Sequence, residues 1–281
     1  MIVGTKKSKP AIYLLLGIAS TFLVFFPILW LISTSLRPAM ELSQQLKDSL
    51  FFKPTLSHYT TVFQHEGFLR YMLNSIIIAF GTTLTSIVVA SLCAYSLARM
   101  DFPGKKLIGR LILFTYLVPP VLLVIPLFRW FMVIKLTDTL LGLIVAHTTF
   151  SIPFCIWLLR SFFLDLPKDL EDSALIDGTN RLGALFRIVL PLSLPGLVAT
   201  AMFAFILSWN EYFFAVILIN SEKARPLALG LTTAFRHFHM TTVDYSTLMG
   251  ASTLSSLPTL IFFLFLQGYL LRGLTAGAVK A

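Results

Sequence analysis

The chain has 281 residues, 57% of them hydrophobic and only 12% charged, with a mean hydropathy of +0.84. A soluble domain needs a charged shell that this composition does not supply, so the chain reads as a polytopic membrane protein. Its net charge of +9 is spread over the ends of apolar stretches instead of forming one patch, which argues against a nucleic-acid-binding role.

Six stretches reach the length of about 20 apolar residues that a helical span requires: roughly 11–35, 72–97, 107–128, 139–162, 194–219 and 250–271. The runs are continuous and do not alternate, and only helices or closed barrels satisfy the backbone in lipid. The expected fold is an all-α membrane protein of six transmembrane helices, a single domain over 1–281. The first stretch lacks a small-residue cleavage site and is too long for a signal peptide, so it is expected to be a retained span. The loop after it, about 36–71, holds Pro38, Pro54, His58 and an S-H-Y-T-T stretch, long enough to meet a partner outside.

The second stretch opens on Asn74-Ser75 and ends at Ala98-Arg99-Met100, ahead of the short basic loop Asp101-Phe102-Pro103-Gly104-Lys105-Lys106. That loop sets the orientation. With the N-terminus inside, the inner segments hold Lys6, Lys7, Lys9, Arg99, Lys105, Lys106, Arg110, Arg160, Lys168, Arg181, Arg187, Arg272 and Lys280, and most of the other basic residues lie in two long outer loops that count less. Both termini are therefore expected to be cytoplasmic.

Prolines stand in or near the spans at Pro27, Pro119, Pro120, Pro126, Pro153, Pro195 and Pro258, where each interior one favours a kink. Cys93 and Cys155 fall inside spans without metal-ligand spacing, so neither a disulfide nor a redox role is inferred. His147 in the fourth span, and His237 with His239 in the loop of about 220–249, have no carboxylate or cysteine at a ligand spacing, and packing and loop roles are expected for them.

Between the fourth and fifth spans, at about 164–193, lies a polar segment that forms a helix. Pro167 suits a first turn, and Asp169, Glu171 and Asp172 place negative charge at the positive end of the helix dipole, with Gly178 as the stop. Leu166, Leu170 and Ala174 recur every four residues as an apolar stripe, and Ser173 and Ala174 are small enough for another surface to approach. At about 11 residues, or about 16 Å, this helix is too short to cross a bilayer and reads as a rigid peg between two spans.

Asp172-Ser173-Ala174, then Gly178, then Ile188-Val189-Leu190-Pro191 fall at the intervals of the loop E-A-A-x3-G-x9-I-x-L-P, and Glu171 fits a variant of the form L-E-E-A-A-x-I-D-G. This resembles the cytoplasmic docking loop of ABC importer permeases. Asp172 and Ser173 depart from the usual glutamate and alanine, each conserving charge or size. Asn74-Ser75, Ala98–Gly104, Tyr116-Leu117-Val118-Pro119-Pro120 with Ile125-Pro126, Asp138-Thr139 and the tail Arg272–Lys280 look like the carbohydrate-uptake branch, in particular the maltose-type second permease.

The resemblance implies a type I ABC importer permease bundle in a bacterial or archaeal cytoplasmic membrane. Glu171, Asp172, Ser173, Ala174, Asp177, Gly178, Ile188, Leu190 and Pro191 would form the surface that docks an ATPase. The implied partners are a dimer of ABC ATPase subunits, a second homologous permease and an extracytoplasmic sugar-binding protein, with membrane lipid around the spans. The chain has no G-x-x-x-x-G-K-[ST] phosphate loop, so no cofactor is expected on it, and ATP and Mg would be used by the partner.

The fifth span carries Ser208-Trp209-Asn210-Glu211-Tyr212 well inside an apolar run. A charge near mid-bilayer costs about 2.5–3.5 kcal/mol to insert, so Glu211 must face protein or water. Amide and carboxylate bond sugar hydroxyls, and Trp209 and Tyr212 offer flat faces to a sugar ring, which makes these five residues candidates for the translocation path. Resemblance to maltose-type systems leaves two roles open for these residues: contact with the sugar, or lining the path or the dimer while the other permease holds most sugar contacts. Other solutes stay open too: a glycerol phosphodiester, a polyol or a polyamine. An ion-coupled carrier using Glu211 is a further alternative, disfavoured because the sequence shows neither paired repeats nor broken helices.

Overall fold

A computed structural model describes residues 10–38, 52–237 and 245–278. Among these residues the chain is helical without a strand. The helices are α1 (Pro10–Ser35), α2 (Ser57–Gln64), α3 (Phe68–Arg99), α4 (Lys105–Leu117), α5 (Pro120–Val133), α6 (Leu140–Asp165), α7 (Asp169–Ile176), α8 (Arg181–Leu192), α9 (Leu194–Trp209), α10 (Phe213–Leu218), α11 (Leu227–His237) and α12 (Tyr245–Ala278).

Four helices are individually long and apolar enough to span a membrane, within α1, α3, α6 and α12, and the number is up to six if each of two bent pairs counts as one span. The pairs are α4 with α5, meeting at 97°, and α8 with α9, meeting at 83°. The expected third stretch, 107–128, is therefore not one straight helix. Pro119 and Pro120 cause its break: both lack an N–H, and Pro119 sits at φ −59, ψ 125, outside the helical region, as a residue before proline prefers. The α8–α9 bend centres on Ser193, between Pro191 and Pro195, where Pro195 cannot donate back to the Pro191 carbonyl. The fifth stretch breaks again after Trp209, so its expected continuity over 194–219 is also corrected. Pro27, Pro126, Pro153 and Pro258 lie inside continuous helices.

The chain divides into two compact units, drawn from Met1–His65 with Phe235–Ser256 and from Glu66–Ala234 with Leu257–Ala281. In the first, α1 exposes its apolar side chains along nearly its whole length, as suits a helix that faces lipid. Its end is fixed by polar contacts: Ser35 Oγ lies 2.6 Å from Tyr59 Oη, and His58 reaches the Arg37 carbonyl and Thr247 Oγ1 at 2.9 and 3.0 Å.

The second unit is built on the pairing of α3 with α6, the most extensive in the chain. Ala79, Thr83, Ser86, Ala90, Ala94 and Ala98 put small side chains on the buried side of α3, so α6 approaches closely and Ser86 bonds Ser151 across the gap. Helix α9 packs on both. Toward one end the core holds Tyr95, Leu159, Phe163, Leu185 and Val189; toward the other it holds Val124, Phe131, Leu143, Phe214 and Leu218.

Candidate functional site

The polar segment after α6 folds as a helical hairpin. Helix α7 is shorter than expected, eight residues from Asp169, and ends in the two hydrogen bonds of a Schellman cap: Gly178 N–H to the Leu175 carbonyl at 3.2 Å and Thr179 N–H to the Ala174 carbonyl at 3.0 Å. Gly178 takes φ +86, the left-handed conformation such a cap requires, with open space around its α-carbon. Asn180 then caps α8 by accepting from Gly183 N–H at 2.7 Å, so a few residues reverse the chain.

The hairpin sorts the expected docking residues into two groups. Asp172, Ser173, Asp177 and Gly178 are exposed, together with Leu170 and with Ile176 at 86%. Ala174 is half-buried, as are Ile188 and Leu190, while Pro191 is exposed. Leu185–Val189 forms one π-helical turn whose Leu185 and Val189 enter the core, so I-x-L-P marks the run from that turn to the Ser193 bend.

Glu171 departs from the expected surface role. It is 4% exposed and the one fully buried residue of α7, pointing back into the chain. Tyr95 Oη donates to its Oε1, Arg99 Nε lies 3.1 Å from its Oε2, and Arg181 Nη1 stands 3.8 Å from Oε1. Arg99 Nη2 also donates to the Leu166 carbonyl at 2.9 Å, tying the end of α6 to the same cluster.

The second candidate group lies at the α9–α10 break. Helix α9 ends as Asn210 and Glu211 N–H reach Ile206 and Ser208, and the Glu211 carboxylate starts α10 by accepting Phe214 N–H at 3.1 Å. The same carboxylate lies 3.2 Å from His147 Nε2, while His147 Nδ1 lies 2.8 Å from Ser208 Oγ, which donates onward to Thr82 Oγ1 at 3.3 Å. One network thus joins α3, α6 and the break, and His147, expected only to pack, has a carboxylate partner supplied by another span. Polar residues at matching depths of separate spans were the one sequence signal for it.

Trp209 is buried, with its ring stacked on Phe205 at 5.8 Å and 11°, which corrects the expectation that it offers a face to the path. Asn210 is exposed, and Tyr212 is half-buried with Thr232 Oγ1 3.5 Å from its hydroxyl. The structure therefore brings Ser208 and Glu211 together inside the chain and leaves Asn210 and part of Tyr212 facing out.

At the opposite end from the hairpin, two further sequence signals become clamps. Asn74 Nδ2 donates to the Lys223 and Arg225 carbonyls, each at 2.8 Å, and Ser75 Oγ accepts Leu227 N–H at 2.7 Å. Asp138 Oδ1 accepts Ser221 N–H at 2.8 Å and Asn220 N–H at 3.0 Å. Burial acts to raise the Asp138 pKa, but these two backbone donors, together with the Ser221 side chain, outweigh it and hold the carboxyl below its ordinary value. Cys93 and Cys155 are free thiols. His239 and the basic residues Lys6, Lys7, Lys9 and Lys280 lie outside the described residues.

Residues 86–276 match the family described as binding-protein-dependent transport system inner membrane component. The trehalose/maltose transport system permease protein MalG of Thermococcus litoralis is 35% identical over 273 residues, covering 96% of each chain. The trehalose transport system permease protein SugB of Mycobacterium tuberculosis is 35% identical over 259 residues, covering 90% of this chain and 92% of that one. Among solved structures, a chain of a bacterial ABC transporter involved in import of the acidic polysaccharide alginate superposes with a TM-score of 0.79 at 22% identity, over 96% of this chain and 99% of that one.

Proposed function

This chain belongs to the family of binding-protein-dependent transport system inner membrane components, and on that footing we propose that it carries a sugar, a mono- or oligosaccharide, across the membrane as one permease of an ABC importer. It is a multi-pass membrane protein. The observation that carries the mechanism is the α7–α8 hairpin: a capped, eight-residue helix with an exposed outer face, ended by a left-handed Gly178 and anchored between spans. Such a peg transmits rigid-body motion. Closure of an ATPase dimer on ATP and Mg, in a partner, would turn the spans between inward-open and outward-open states.

In this reading the hairpin end and both termini face the cytoplasm, in keeping with the basic loop at Lys105 and Lys106. The clamped end, with Asn74 and Asp138, faces a sugar-binding protein outside, and a second, homologous permease completes the path. Non-helical backbone at membrane depth is tolerated where it is covered by protein or lines water, which suits the break at Asn210–Tyr212. Asn210 and Tyr212 border the path, and Ser208 and Glu211 hold the break in shape. The relatives named for trehalose and maltose support a sugar over a glycerol phosphodiester, polyol or polyamine. The broken helices remove one argument against an ion-coupled carrier, and family membership decides against it.

The test is to purify the chain from its native membrane in mild detergent and identify its companions by mass spectrometry. An ABC ATPase and a second permease are expected, after which the receptor is titrated with carbohydrates. Recovery of the chain alone, with transport driven by an ion gradient after reconstitution, would overturn the reading.

A further inference from the structure

Helix α7 is held to the rest of the chain by a carboxylate. Its one fully buried residue is Glu171, and Glu171 is gripped by Tyr95 and Arg99 of α3, with Arg181 of α8 at 3.8 Å. Apolar contacts between helices allow small sliding movements, whereas an ion pair supplemented by a directed hydroxyl hydrogen bond fixes both distance and orientation. Arg99 and Glu171 have side chains only 4% and 5% exposed, so water does not screen the attraction.

Helix α3 has no internal proline and runs unbroken from Phe68 to Arg99. Its Thr82 accepts the hydrogen bond from Ser208 in the network that shapes the α9–α10 break, and Tyr95 lies on the same helix roughly 20 Å away by the 1.5 Å rise per residue. One unbroken helix therefore touches the docking hairpin near one end and the mid-span break nearer the other.

We propose that Tyr95, Arg99 and Glu171 form a latch that passes displacement of α7 to α3, and through Thr82 and Ser208 to the break at Asn210–Tyr212. These three are positioning residues: they join the docking element to the path without touching ATPase or sugar. The proposal rests on the importer reading and adds to it that Glu171 acts inward, while the exposed residues of the hairpin meet the partner.

The test uses the whole reconstituted complex with its ATPase subunits, in wild-type form and with Glu171→Gln. Hydrogen exchange is followed by mass spectrometry over peptides covering residues 206–216, with and without ATP plus vanadate, a readout that needs no knowledge of the sugar. In the wild type, vanadate trapping should change exchange across the break, and the absence of any change there overturns the proposal. The Glu171→Gln complex should retain its ATPase subunits and hydrolyse ATP while that change falls severalfold. An unchanged response overturns the latch, and so does loss of the ATPase subunits, which would make Glu171 a docking contact.

Should the Glu171→Gln permease itself not be recovered folded from the membrane, Tyr95→Phe removes only one hydroxyl and keeps the ion pair. It should also reduce the response at the break, and a full wild-type response there overturns the latch. Arg99→Lys, which keeps the charge, should retain more of the response than Arg99→Met. A wild-type preparation that carries no ATPase would instead remove the importer reading, and this latch with it.

Discussion

The Glu211 carboxylate and the His147 imidazole meet at 3.2 Å, Oε2 to Nε2, at the point where the fifth span loses its helical hydrogen bonding. The carboxylate serves two purposes there, satisfying Phe214 N–H and occupying the imidazole. A break without proline is thus stabilised by one side chain.

Glu211→Ala should remove the acceptor for Phe214 N–H at the start of α10, destabilising the permease by about 0.5–2 kcal/mol, as loss of a helix cap does. The thermal midpoint in detergent should drop and transport should fall. Glu211→Gln keeps an oxygen acceptor and should stay closer to wild type. Equal midpoints for the wild type and the alanine variant would show that the carboxylate does not hold the break.

Gly178→Val should place a β-branched residue at φ +86, at a cost of about 1–2 kcal/mol for the left-handed backbone alone. Because the space around Gly178 is open, the effect is conformational, and Gly178→Asn should be tolerated better. The valine variant should insert normally, lose uptake and recover less ATPase on purification. Normal uptake would remove Gly178 from docking.

Asp138 links the α5–α6 turn to the segment after α10. Its pKa is lowered in the folded chain, so the stabilisation is present above the ordinary value of 3.8 and lost as pH falls through the folded value. Asp138→Asn should lower the thermal midpoint at pH 7, and the gap from wild type should close as the pH drops below about 4. A gap independent of pH would mean the charge contributes nothing.

Gly142→Ala and Gly109→Ala should diverge. A Cβ on Gly142 would stand 2.1 Å from the Leu136 carbonyl oxygen, where the chain turns tightly beneath Thr139, whereas one on Gly109 meets nothing within 4 Å. The first should reduce yield and thermal stability, and the second should be neutral or stabilising by about 0.4–1 kcal/mol. Circular dichroism melts of the two purified variants distinguish them, and matching melts would refute the tight turn.

The six apolar stretches, the short helix before Gly178 and the basic loop at Lys105 were legible because each is local. Hydropathy sums over consecutive residues, helix caps depend on neighbours a few positions apart, and the I-x-L-P interval lies within one hairpin. The two spans that bend were harder, since Pro153 and Pro258 sit in continuous helices while Pro119–Pro120 and Pro191–Pro195 sit at breaks. A closely spaced pair does what a lone proline inside a packed helix does not.

From its sequence alone, this chain is determined to be a helical membrane protein with a short polar helix between its fourth and fifth apolar stretches. Apolar length and short-range spacing suffice for that. Tertiary structure decided which polar residues lie on the surface and which lie inside: Glu171 turns from the exposed face of its helix to Arg99 and Tyr95, and Glu211 lies against His147 and Phe214. Those pairings join residues far apart in the chain, and a buried charge takes whichever partner packing brings within reach, because leaving it unpaired in an apolar interior costs more than any local preference can offset.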